Sequence, residues 1–141
     1  MNIGQCMSRD VKVCAPSDTL RAAANAMGKI DAGFLPVGEN DRLVGMITDR
    51  DIAVRAVGEG KGVETPVGDV MTRDVQYCFE DEDIDAVARK MSDLQVRRLP
   101  VLSRDKRLVG IVSLGDISKT SDGDAGTALS RIARPGGQHR Q

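Results

Sequence analysis

An ordered series of matches at a nearly fixed spacing constrains this chain more than any single motif. Met7-Ser8-Arg9-Asp10-Val11 returns as Met71-Thr72-Arg73-Asp74-Val75, Cys14 as Cys78, Met27 as Met91, and Leu35-Pro36-Val37 as Leu99-Pro100-Val101, all 64 residues on. One residue is then inserted, and the spacing becomes 65: Leu43-Val44-Gly45 maps to Leu108-Val109-Gly110, and Asp51-Ile52 to Asp116-Ile117. Such self-similarity marks two copies of one supersecondary unit. The 141 residues suffice for one compact domain or for two small repeats sharing a core.

Each copy has the same coarse layout. A short extended piece, residues 11–14 or 75–78, precedes a helix. In the first copy Ser17 or Asp18 can cap that helix, and Leu20, Ala23, Ala24 and Met27 fall at i, i+3, i+4 and i+7. Ile84, Val87, Ala88, Met91 and Leu94 repeat the stripe, and both stripes read as core packing. Two short strands around a polar turn follow, 34–37 with 43–48 and 99–102 with 108–113. A second helix, 52–57 in the first copy, closes the unit. The fold class is therefore mixed α/β, with two β-α-β-β-α repeats. Residues 1–60 form the first repeat, 61–69 a linker, 70–121 the second repeat and 122–141 a flexible tail. Four glycines and a proline between 58 and 68 carry the linker reading, and 127–133 can make a helical turn or two.

Composition removes several function classes. Twenty basic residues nearly balance twenty-one acidic ones, so a nucleic-acid or membrane-surface binder is not expected. Phe34, Tyr77 and Phe79 are the whole aromatic content, too little for a base-stacking platform. No apolar run approaches the ~20 residues of a membrane span, and the N-terminus lacks the pattern of a signal peptide. Cys6, Cys14 and Cys78 are odd in number and lack paired metal spacing, which suits reduced thiols in a cytoplasm. Cys14 and Cys78 occupy equivalent positions, and their pairing on oxidation is the one redox reading. His139 is the sole histidine and sits in the tail, so no serine–histidine or cysteine–histidine pair is readily built, and an enzyme is not expected.

The chemistry concentrates in the turn Gly45-Met46-Ile47-Thr48-Asp49-Arg50-Asp51 and its counterpart Gly110-Ile111-Val112-Ser113-Leu114-Gly115-Asp116. Each places a hydroxyl and a carboxylate three apart where a strand enters a helix, so both groups can face one small ligand. The same spacing is also close to a capping box, which would satisfy helix N–H groups with no ligand. Arg50 can pair with a phosphate, whereas the second copy has Gly115 there, so unequal sites are expected. Gly58, Gly60 and Gly62 match neither a dinucleotide fingerprint nor a P-loop. The acidic run 80–83 sits where a helix start favours negative charge.

The opening Cys6-Met7-Ser8 and Val70-Met71-Thr72, the two Leu-Pro-Val strands and the two Gly-x-x-Thr/Ser-x-x-Asp turns together resemble tandem cystathionine β-synthase (CBS) motifs, the Bateman module. The resemblance spans roughly residues 5–120 and is similar to stand-alone bacterial two-repeat proteins of the hypoxic response type. It implies repeats packed through their sheets about a pseudo-twofold axis. It also implies clefts between them that take AMP, ADP, ATP or S-adenosylmethionine, and assembly into a homodimer. Carried onto this sequence, it implies that Asp51 and Asp116 accept from ribose hydroxyls, and that Thr48 and Ser113 lie near ribose or phosphate. It further implies that Arg97 and Arg98 reach phosphates across the module, while Pro36 and Pro100 mark strands lining an adenine pocket. The chemistry agrees: a cis-diol presents two donors to an acceptor-only carboxylate. The function so implied is a regulatory adenosine-compound sensor acting on an unknown protein target. A ligand-independent docking scaffold is the alternative.

Overall fold

The computed structural model describes residues 1–120. The stretches 127–133 and 134–141, with His139, lie outside the described residues. The described residues divide into two compact units, 12–75 and 1–11 together with 76–120. The units are mixed α/β, and they do not coincide with the repeats as delimited from sequence.

In the unit of residues 12–75, helix α1 spans Leu20–Ile30 and buries Leu20, Ala23 and Met27. Ala24, expected on the same stripe, is exposed. The cap is neither of the expected residues: Thr19 accepts from the Ala22 N–H at 3.1 Å. Asp18 instead accepts from the Ala15 N–H at 2.8 Å and closes the turn before the helix. The helix stops at Asp31, whose left-handed φ of 54° ends the ladder while its N–H reaches the Met27 carbonyl.

Strands β1 (Phe34–Glu39) and β2 (Arg42–Thr48) pair antiparallel, with Glu39 opposite Arg42. Only Asn40 and Asp41 remain between them, with φ of 54° and 62°. That is the twist a two-residue hairpin needs, and Asn and Asp tolerate it. Cys14 bridges in parallel to Val37 on the far side of β1. A π-helical segment, Asp51–Ala56, follows β2. The stretch read as a linker is stitched to α1: the Leu20 and Arg21 N–H groups donate to the Thr65 and Val63 carbonyls. Val67 is fully buried in this unit's core.

The second unit repeats the plan. Strand β3 (Cys78–Phe79) runs parallel to β4 (Arg98–Leu102), which pairs antiparallel with β5 (Leu108–Ser113). Helix α2 (Ile84–Leu94) is capped by Asp83 and buries Ile84, Val87, Ala88 and Met91. Helix α3 (Leu114–Ser118) follows β5. On the surface, Arg104 lies 4.2 Å from the Phe79 ring centroid and forms an ion pair with Asp81 at 2.8 Å.

The segments that open each sequence repeat join the other unit. Ile3 is fully buried among Cys78, Val87 and Met91, and its N–H donates to the Glu82 carbonyl at 2.9 Å. Ser8 and Ile111 exchange two backbone hydrogen bonds, and Thr72 and Met46 exchange the corresponding pair in residues 12–75. Each segment thereby adds a short edge to a hairpin, crossing it where that hairpin carries a glycine. A Cβ on Gly45 would stand 2.6 Å from Met71 Sδ and 3.0 Å from the Thr72 carbonyl. One on Gly110 would stand 2.6 Å from Met7 Sδ and 2.7 Å from the Ser8 carbonyl. Both glycines of the Gly-x-x-Thr/Ser-x-x-Asp turns are thus required by backbone approach, whatever their neighbours do.

Cys14 and Cys78 are free and buried, each in its own unit's core. Burial pushes the Cys14 thiol up to about 11, helped by the charge of Asp18, and the Cys78 thiol up to about 12, helped by Glu82. Unfolded thiols lose their protons at lower pH, so the folded state holds these protons more tightly. Stability from this source is complete below about pH 9 and is lost as pH rises towards 11–12. The expected slope is at most about 1.4 kcal/mol per pH unit for each thiol. Urea unfolding between pH 8 and 10 checks this, and Cys78→Ala should flatten the decline.

Candidate functional site

The two hydroxyl–carboxylate turns have the same local geometry. The Asp51 N–H donates to Thr48 Oγ1 at 3.0 Å, and the Thr48 N–H donates to Asp51 Oδ2 at 3.1 Å. The Asp116 N–H donates to Ser113 Oγ at 3.1 Å, and the Ser113 N–H to Asp116 Oδ2 at 2.9 Å. Both turns are therefore reciprocal capping boxes, as their spacing allows. Each box uses one carboxylate oxygen and leaves acceptor capacity on the side chain.

What surrounds the two carboxylates differs. Asp51 is 8% exposed. Its oxygens accept from Thr72 Oγ1 at 3.2 and 3.4 Å, and Arg55 Nη1 lies 3.7 Å from Oδ1. The same guanidinium donates to the Met71 carbonyl at 3.4 Å. Asp116 is half-buried, and the Ser113 N–H is the one hydrogen bond to its carboxylate among the described residues. Cys6 stands near it: burial raises that thiol's pKa, and the negative charge of Asp116 raises it further.

The remaining predicted residues divide between the units. Arg98 pairs across the hairpin with Ser113, and the Arg97 carbonyl accepts from the Leu114 N–H at 3.0 Å. Both arginines therefore stand at the hairpin end that carries Ser113 and Asp116. In residues 12–75 the equivalents are Gly33 and Phe34. The Gly33 carbonyl accepts from the Asp49 N–H, and a Cβ on Gly33 would meet Asp49 Oδ2 at 2.8 Å. A side chain at that position would require the Asp49 carboxylate to move. Arg50 is exposed just after Thr48. Pro36 and Pro100 are buried in β1 and β4, and their carbonyls face the Cys14 and Cys78 thiols at 3.8 Å.

Arg55 and Thr72 were not among the predicted site residues. Arg55 lies four residues beyond Asp51, the spacing at which helical charges meet, and that signal was legible. Thr72 reaches Asp51 only through the edge pairing with Met46, which no local pattern announces.

A separate groove of about 610 Å³ runs beside α1, lined by Lys12, Val13, Arg21, Ala26 and Lys29 among others. None of the predicted site residues lines it. At the equivalent place in the other unit, Tyr77 and Lys90 stand where Val13 and Ala26 would, with the ammonium 5.7 Å from the ring centroid.

The CBS domain family matches residues 3–58 and 67–123. The chain is 35% identical to the CBS domain-containing protein YhcV of Bacillus subtilis, over 94% of this chain and 95% of that one. It is 39% identical to hypoxic response protein 1 of Mycobacterium tuberculosis, over 80% of each. The crystal structure of Hypoxic Response Protein I with two coordinated zinc ions superposes with a TM-score of 0.77 at 36% identity, covering 85% of this chain and 98% of that one. Among the described residues here, no group of three or more His, Cys, Asp or Glu could hold a metal ion. The CBS domain pair of MJ0100, in complex with 5-methylthioadenosine and S-adenosyl-L-methionine, gives a TM-score of 0.74 at 31% identity over 87% of this chain and 97% of that one. CBSX2 in complex with AMP gives 0.76 at 25% identity over 86% and 96%. No described helix is long and apolar enough to cross a membrane.

Proposed function

This chain belongs to the CBS domain family, and from that premise we propose that it is a regulatory module that binds an adenosine-containing ligand at its two hydroxyl–carboxylate turns. The observation that carries the reading is the doubling of one arrangement, a hydroxyl and a carboxylate fixed together where a strand enters a helix. The ligands held by MJ0100 and CBSX2 share an adenine base on a ribose, whose 2′,3′-diol suits an acceptor-only carboxylate. Asp51 and Asp116 take the ribose hydroxyls, Thr48 and Ser113 the neighbouring ribose or phosphate oxygens. Arg50, Arg97 and Arg98 supply positive charge for phosphates, and Pro36 and Pro100 mark the strands beside the base. AMP, ADP, ATP and S-adenosylmethionine are the candidate ligands.

Binding transmits a signal only if the ligand prefers one state over another, here between arrangements of a homodimer or of a contact with a protein target. A second reading has an observation in its favour. The reciprocal caps satisfy both turns without any ligand, as a ligand-independent docking scaffold would require. Isothermal titration calorimetry with AMP, ADP, ATP and S-adenosylmethionine separates the two. Saturable binding of at least one is the expected result. No heat with any of them, together with an unchanged melting temperature, favours the scaffold.

A further inference from the structure

We infer that Thr72 and Arg55 form a latch on the Asp51 carboxylate, so that the Asp51 turn binds an adenosine ribose only by exchanging these bonds, while the Asp116 turn is open to it. The inference rests on the ribose reading proposed above and adds to it the order in which the two turns fill.

A carboxylate has about four acceptor positions. At Asp51 two are hydrogen-bonded, by the Thr48 N–H on Oδ2 and the Thr72 hydroxyl across both oxygens, and the Arg55 guanidinium, ion-paired at 3.7 Å from Oδ1, screens a third. One position is left for a diol that brings two donors, and the residue is 8% exposed. At Asp116 the Ser113 N–H is the one bond to the carboxylate among the described residues, which leaves three positions there. The difference follows from substitutions at equivalent places. Ser8 stands where Thr72 does and, among the described residues, makes no side-chain hydrogen bond to Asp116. Thr120 stands where Arg55 does, and its hydroxyl donates to the Ile117 carbonyl at 2.8 Å.

The latch also has a mechanical side. Arg55 holds Asp51 and the Met71 carbonyl together, and Thr72 is bonded to Met46 through its backbone and to Asp51 through its hydroxyl. Opening it loosens the edge segment 71–72 from the hairpin. Occupancy of the first turn is thereby coupled to the position of a segment that lies just before the next strand.

The test uses the full chain in an Asp116→Asn background, which leaves only the Asp51 turn intact, with AMP as the probe. Thr72→Val removes the hydroxyl and keeps the shape. AMP binding should tighten about fivefold, the equivalent of one ordinary hydrogen bond no longer surrendered. Arg55→Gln should tighten it about threefold, and Thr72→Ser should return the affinity of the parent. The sign discriminates, because a variant that merely damages the fold binds more weakly. The melting temperature should fall in Thr72→Val while affinity rises. Unchanged or weaker AMP binding in both Thr72→Val and Arg55→Gln overturns the latch alone, provided the wild-type chain binds AMP. If the wild-type chain binds ADP, ATP or S-adenosylmethionine and not AMP, that compound replaces AMP as the probe; a wild-type chain that binds none of the four removes the ribose reading and the latch with it.

Discussion

Replacing Ile3 by alanine lowers the unfolding free energy by about 3 kcal/mol, an effect expected of a central core position rather than of the third residue of a chain. Chain termini usually tolerate change, because few contacts hold them. Ile3 is instead fully buried, in the cluster that contains Cys78, Ile84, Val87, Met91 and Leu99. Its N–H and that of Gly4 donate to the Glu82 and Glu80 carbonyls, so the segment is held through backbone and side chain together. Truncation to alanine leaves a cavity that the hairpin-bound segment cannot collapse to fill. Urea unfolding measures the loss, with Met1→Ala as the control, since Met1 is 66% exposed. A loss under 1 kcal/mol for Ile3→Ala would mean that residues 1–11 are not part of the unit formed by 76–120. The assignment of the opening segment to that unit would then fail.

The second large effect concerns binding. Asp116→Ala lowers affinity for the adenosine ligand about a hundredfold, if two hydrogen bonds from ribose to a charged acceptor are lost. Asp51→Ala lowers it less, because the carboxylate it removes is already engaged by Thr72 and Arg55. Both variants also lose a cap, at a cost of about 1 kcal/mol of stability. That stability loss can be matched with Ser113→Ala, which loses the other half of the same cap and keeps the carboxylate. Titration calorimetry of the three variants against wild type distinguishes the contributions. Equal, small losses in Asp116→Ala and Ser113→Ala would make the turn a helix cap and nothing more.

Much of this architecture is local and was legible. Hairpin β1–β2 follows from two apolar runs around the polar stretch 38–42, which strand pairing narrows to Asn40 and Asp41, and both first helices follow from stripes at helical spacing. The paired turns were legible too, because a capping box is written in four consecutive residues. Their carboxylates are the ones the Bateman resemblance singles out. The cap of α1 was misplaced by one or two residues, since Ser17, Asp18 and Thr19 are chemically equivalent caps. Only the hydrogen bond of Asp18 to Ala15 reserves it for the preceding turn.

What the sequence by itself determined is the identity and order of the elements, because helix periodicity, turn chemistry and capping act over a few residues. It also determined that the chain carries two nearly equivalent turns. Only the tertiary structure decided which unit Met7-Ser8 and Met71-Thr72 complete, because a two-residue edge has no local pattern to specify its partner and both hairpins carry a glycine that admits such an edge. That choice brings the Thr72 hydroxyl to Asp51, while Ser8 makes no matching bond to Asp116. The near-identity of the turns in sequence thus becomes inequality in space: hydrogen bonds to a buried carboxylate are set by what packs against it, and that partner lies 21 residues away.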